Sequence, residues 1–160
     1  MAVKFGFSLP IFAGAGDHHP RTPLLEHVDI GHLMHAVQEA EALGYDSIWV
    51  ADHLILGKGG WILECWTLLS ALSQATSRLR LGTIHLANLF RHPSITAKMA
   101  ATLDVLSNGR VDFFFEAGHR GSRGEVAAYG LAWYDDQERL ERFEEAVRMA
   151  KALWTQDSVT

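Results

Sequence analysis

The chain has 160 residues, 48% of them hydrophobic and 21% charged, with a formal net charge of -5. That balance fits one globular domain with a sizeable core and excludes disorder as the main state. It also disfavours a broad nucleic-acid or anionic-membrane surface, and the single cysteine, Cys65, excludes an internal disulfide framework.

Read by period, the chain repeats a strand-helix unit four times. Val3 to Leu9 is a short β-type run ended by Pro10. Residues 29–43 read as a helix with Ile30, Leu33, Met34, Val37 and Ala40 on one face and Gly44 at the C-terminal cap position. Asp46 to Val50 is a second, buried strand, and Trp61 to Thr76 a helix apolar on more than one face. Such a helix must be covered on two sides, by the sheet and by either the core or a partner subunit. Leu79 to Leu86 is a third strand. Pro93 to Leu106 is a helix with Ile95, Met99, Leu103 and Leu106 on one stripe. Val111 to Phe115 is a fourth strand. The last helix opens at Asp135, with Glu138 at capping-box spacing, and runs to about Trp154. Leu140, Phe143, Val147, Ala150 and Trp154 face inward there, while Glu138/Arg142 and Glu144/Arg148 form i,i+4 pairs outside. No apolar run approaches the roughly 18–20 residues of a membrane span. The N-terminal Met1-Ala2-Val3-Lys4-Phe5 lacks a signal-peptide build, so a cytoplasmic protein is expected.

Strands alternating with helices imply an α/β fold with a parallel sheet, either an open doubly wound sheet or a (β/α) barrel. Helix-to-strand connections are tight, whereas the strand-to-helix loops at 10–28, 51–60, 87–92 and 116–134 are long. Those loops leave the carboxyl ends of the strands, the edge that carries active sites in parallel α/β folds. No Gly-rich nucleotide turn follows the first strand and no GxxxxGK[ST] occurs, which disfavours NAD or ATP bound by the common devices.

Several residues at that edge can carry chemistry. Asp52-His53 follows the second strand; an acid beside an imidazole fixes its tautomer and tunes it for proton transfer, although a loop His that caps backbone fits equally well. His85 ends the third strand, where a core role is the commoner one. Asn88, Arg91 and His92 follow, with Arg91 either an anion ligand or a structural residue. Glu116 follows Phe113-Phe114-Phe115, where an apolar wall would raise its pKa and suit it to acid catalysis, against the plainer reading of a Glu paired with an Arg. Gly118, Gly121 and Gly124, interleaved with Arg120 and Arg123, form either an anion-gripping lid or a solvated loop. Nine histidines raise the metal question, but the adjacent His18-His19 and the i,i+3 pair His32/His35 match no ligand pattern, and no metal is expected. Cys65, mid-helix with no matching base, reads as packing.

The stretches Leu81-Gly82-Thr83, Arg91-His92-Pro93 and Ala97-Lys98-Met99-Ala100-Ala101-Thr102-Leu103-Asp104-Val105-Leu106-Ser107-Asn108-Gly109-Arg110 resemble the bacterial luciferase-like family of flavin-dependent oxidoreductases. Ala42 to Ser47, Trp49, Asp52-His53, Glu125 with Ala128-Tyr129-Gly130, and Arg142 to Ala146 support the likeness, in order, along the whole chain. The resemblance implies a TIM-type (β/α) barrel of which residues 1–160 form one domain, the amino-terminal half with four of eight units. It implies either reduced FMN with oxygen, monooxygenating a small organic substrate, or a deazaflavin cofactor exchanging hydride with the substrate. A flavin reductase and a homodimer through the second and third helices are the implied partners, with no nucleic acid and no membrane. It also makes His53 the active-site acid/base beside the flavin, with Asp52 orienting it and Glu116 and His119 lining the pocket. Cofactor contacts are expected at Ile84, His85, Asn88 and Gly118, with a non-proline cis bond at Ile84-His85 under the ring.

The sequence departs from the family where its Gly-rich fourth strand end reads Phe113-Phe114-Phe115-Glu116-Ala117-Gly118. A reactive Cys of the luciferases matches Glu116, and a catalytic Glu of some deazaflavin enzymes matches His119; neither is reproduced. The loop from Gly118 to Glu125 is about two residues longer than the family's. Four units instead of eight point to a fragment of a longer protein, ahead of a self-pairing half-barrel or a non-catalytic half that only binds a partner.

Overall fold

The computed structural model describes residues 3–14 and 25–159. Four parallel strands, β1 (Gly6–Ser8), β2 (Ser47–Val50), β3 (Arg80–Thr83) and β5 (Val111–Asp112), lie side by side in chain order. A second parallel pair, β4 (Leu86–Ala87) and β6 (Phe115–Glu116), follows at their carboxyl edge. Helices α1 (Ile30–Ala42), α2 (Cys65–Ala75) and α3 (Pro93–Ser107) form the crossovers. A short α4 (Arg123–Ala128) and the long α5 (Asp136–Thr155) close the chain. Consecutive parallel strands joined through helices on one side are part of a (β/α) barrel.

The core lies between sheet and helices. Ile48, Val50, Leu79 and Leu81 are fully buried against Leu33 and Val37 of α1 and Leu69 and Leu72 of α2. α2 is apolar on several faces because the sheet, α1 and α3 all pack on it. The tight helix-to-strand turns are held by side chains of other elements. The Glu41 carboxylate on α1 accepts from the N–H groups of Ser77, Arg78 and Leu79 at 2.6–3.0 Å. The Arg110 guanidinium donates to the carbonyls of Ser73, Leu79 and Ser107 at 2.7 Å each.

Several elements differ from the sequence expectation. The cis peptide expected at Ile84-His85 is present and divides the third strand there, while the fourth is divided at Phe113-Phe114, which was not expected. α2 starts at Cys65 rather than Trp61, because the Glu64 carboxylate caps it by accepting from Trp66 and Thr67 N–H. On α3 the buried face is Thr96, Ala97, Ala100, Leu103 and Ser107, leaving Ile95 and Leu106 of the expected stripe exposed. The small residues let α5 approach closely, and the Trp154 indole donates to the Ala97 carbonyl at 2.9 Å. On α5, Ala146 and Ala150 are buried and Leu140 is exposed. The Asp135 cap and the Glu138–Arg142 pair form as the spacing predicts.

On the opposite face of the sheet the Trp49 indole lies across Gly6 and Gly82. A Cβ on Gly82 would sit 2.2 Å from the Trp49 ring. Gly82→Ala is therefore expected to cost about 1–3 kcal/mol through overpacking, read as a lower denaturant midpoint. An unchanged midpoint would mean that the indole is free to move aside.

Candidate active site

The loop after β2 and helix α4 meet at the carboxyl edge. His53 Nδ1 lies 2.9 Å from Glu125 Oε1, and Glu125 Oε2 accepts from the N–H groups of Leu54 (2.9 Å) and Ile55 (3.2 Å). The Glu125 side chain is buried, while the imidazole keeps an exposed edge. Burial pushes the Glu125 carboxyl up. The bonds from His53 and from the two backbone groups outweigh it, so its pKa ends below the usual range. The bond to Glu125 raises the His53 pKa against the opposing effect of burial, and the charges of Glu125, Asp52 and Glu116 act in the same upward direction. An ionised carboxylate only accepts, so Nδ1 carries the hydrogen.

Asp52 does not orient His53, contrary to the sequence expectation. Its side chain is 1% exposed and bound in a fork by Arg91, Nη1 to Oδ2 and Nη2 to Oδ1 at 2.8 Å each. Arg91 also reaches Glu64 at 2.9 Å, so it is a structural residue joining the β2 loop to the start of α2. Burial raises the Asp52 pKa despite the guanidinium. The adjacent pair therefore splits: Asp52 turns into the fold and His53 into the site.

Around His53 stand the other expected residues. His119 Nδ1 accepts from Gly121 N–H at 3.0 Å, which puts its own hydrogen on Nε2, and its ring centroid is 6.1 Å from that of His53. His85 is half-exposed rather than a core residue, with Nδ1 3.7 Å from Glu116 Oε2. It packs edge-on against Phe114 at 5.1 Å. The three-phenylalanine run divides by strand alternation. Phe113 packs on Trp154 and Phe115 on Phe143, both of α5, so only Phe114 stands on the side of His85. Glu116 accordingly neighbours the His85 imidazole, and among the described residues no Arg pairs with it. Gly118 has φ +86°, and a Cβ there would fall 2.3 Å from Leu89 Cδ1.

The Asn88 backbone N–H donates to the Glu116 carbonyl at 3.0 Å, but its side chain turns to α5. Its amide donates to the Arg142 carbonyl on α5 at 3.3 Å, so the geometry does not bring it toward His53. The glycine-arginine loop is a 3-10 turn (Arg120–Ser122) leading into α4, and Arg120 pairs with Asp136 at the start of α5 instead of facing a ligand. Cys65 is fully buried and burial drives its thiol pKa far up, as suits a packing residue. His32 and His35 are exposed on α1. His18-His19 lie outside the described residues, and among the described residues no three metal-type ligands converge. Glu125, the carboxylate bonded to His53, is a residue that sequence reasoning placed only as a family landmark. A six-residue helix is too short for periodicity to expose its buried side, and its partner is 72 positions away.

A family model described as luciferase-like monooxygenase matches residues 3–160, and the chain belongs to that family. An F420-dependent glucose-6-phosphate dehydrogenase of Amycolatopsis mediterranei is 35% identical over 133 residues, covering 79% of this chain and 38% of that protein. The enzyme of that name from Beutenbergia cavernae is 40% identical over 124 residues, covering 76% and 36%. The chain thus spans well under half the length of these curated relatives. Among solved structures, a monooxygenase from Streptomyces bottropensis superposes with a TM-score of 0.74 at 26% identity, covering 98% of this chain and 44% of that one. An F420-dependent secondary alcohol dehydrogenase in complex with an F420-acetone adduct shares the fold, with a TM-score of 0.77 at 24% identity, over 100% and 44%.

Proposed function

We propose that the protein is a deazaflavin-dependent oxidoreductase that oxidises a hydroxyl group of a small organic substrate. The observation that carries this is the His53 imidazole, held at the carboxyl edge by Glu125 with Nε2 left free of protein hydrogen bonds among the described residues. The relatives named as F420-dependent dehydrogenases favour the deazaflavin over FMN. We further propose that residues 1–160 are one domain, the amino-terminal half of an eight-unit barrel, and that the other half completes the site.

The residues present suit a flat aromatic cofactor. Phe114 is 44% exposed and His85 stands against it half-exposed, an aromatic surface that calls for cover. Ile84, His85 and Phe114 would hold it, while Gly118, packed against Leu89, gives no separate support for its expected cofactor contact. Such a cofactor, when bound, accepts hydride from the substrate carbon. His53 Nε2 takes the hydroxyl proton, the His119 Nε2–H donates to the same oxygen, and Phe114 keeps water from the reacting carbon. Glu116 stays beside His85 at the rim.

The second reading, reduced FMN with oxygen, rests on the likeness to the Streptomyces bottropensis monooxygenase. Turnover of secondary alcohols and sugar phosphates with oxidised deazaflavin, in the absence of oxygen, separates the two. Bleaching of the cofactor with carbonyl product is expected. Product formed only with reduced FMN and air would establish the second reading, and no product under either condition would indicate a half-barrel that only binds a partner.

A further inference from the structure

We infer that Glu125 is the positioning residue of the site: it fixes the His53 tautomer with the hydrogen on Nδ1 and so keeps Nε2 a bare acceptor. The catalytic meaning of that tautomer rests on the function proposed above; the tautomer itself does not. The geometry carries the inference. Glu125 is a buried carboxylate with both oxygens engaged, Oε1 by the imidazole and Oε2 by two backbone N–H groups of the loop that bears His53. A carboxylate locked on one side by two donors that cannot turn away has no freedom to rotate from the ring. Helix α4 and the β2 loop are thereby joined through one side chain. Tyr129 Oη adds a bond of 3.3 Å to the Leu54 carbonyl at the same junction. His119, one turn before α4, is set in the opposite sense, with Nδ1 accepting from Gly121 and Nε2 donating. The two imidazoles thus offer a substrate oxygen one acceptor and one donor, which is the complement of a hydroxyl.

The charged and titratable groups that face His53 are Glu125 from α4, Asp52 from its own loop, Glu116 from β6 and His119 from the turn before α4. Glu125 alone is in hydrogen-bond contact with the ring.

The test is Glu125→Gln, read by imidazole nitrogen NMR on the intact protein. Glutamine matches the carboxylate in shape. Its oxygen is claimed by Leu54 and Ile55 N–H, so its NH2 group is turned to His53 Nδ1. The ring must then accept there and carry its hydrogen on Nε2. The expected result is Nδ1–H in the parent protein, Nε2–H in Glu125→Gln, and a His53 pKa that falls in the variant. Glu125→Asp, which keeps the charge, should retain Nδ1–H. A parent protein with Nε2–H, or a folded Glu125→Gln with unchanged tautomer and pKa, would overturn the inference. The parent measurement decides the matter even where the variant does not fold. A tautomer that inverts as expected in a protein inactive with every flavin supports the positioning role and removes the proposed function instead.

Discussion

His53→Gln is expected to lower turnover by about 10²–10⁴, the usual worth of a positioned general base. Glutamine can still donate to Glu125, so the buried carboxylate keeps its partner and the fold is spared, but no acceptor of a proton remains at the site. The loss should appear in kcat with KM little changed, because the removed interaction belongs to the proton-transfer step. The same residue sets the pH profile. His53 takes a proton only when neutral, and Glu125 raises its pKa above the ordinary value of about 6.5. Hydroxyl oxidation should therefore climb with pH through a midpoint above that value and fade below it. Folding follows a related window. The raised His53 value contributes stability that is lost as pH rises through its folded pKa. The lowered Glu125 value contributes stability that is lost as pH falls through its own. The pair thus stabilises the fold most between the two. Full activity in His53→Gln, or a pH-independent rate, would remove His53 from the chemistry.

Asp52→Ala is expected to destabilise the protein by about 3–5 kcal/mol, because it leaves the largely buried Arg91 without its forked partner. Glu64 remains, but it is substantially exposed and holds one guanidinium nitrogen only. Arg91→Met should suffer a comparable loss, since Asp52 would then be a buried charge with no counterion. The double variant Asp52→Ala/Arg91→Met should lose much less than the sum, the mark of a pair whose desolvation cancels most of its attraction. Denaturant melts of the four proteins measure this. An Asp52→Ala protein of parental stability but depressed turnover would return Asp52 to the role of orienting His53.

These two residues also mark where sequence reasoning was sufficient and where it was not. Adjacent in sequence, Asp52 and His53 invited a pairing. Past the end of a strand, neighbouring side chains point to opposite sides, so one met Arg91, 39 positions on, and the other met Glu125, 72 positions on. The three phenylalanines divided in the same way, which is why Phe115 does not crowd the site. The α3 stripe holds at Met99 and Leu103 and fails at Ile95 and Leu106 for another reason: alanine and threonine carry little hydrophobic signal, yet their small size let α5 pack on that face.

What the sequence by itself determined is the alternation of strands and helices, the caps at Gly44 and Asp135 and the parallel order of the sheet. Each follows from local periodicity, from short-range hydrogen bonds or from the sterics of the crossover, all of which act within a few tens of residues. Only the tertiary structure decided the helix in the glycine-arginine loop and the partners of Asp52, His53 and Arg91. Those depend on pairings across 27 to 72 positions, where the free energy of burying an ion pair is set by whichever opposite charge the fold brings within 3 Å.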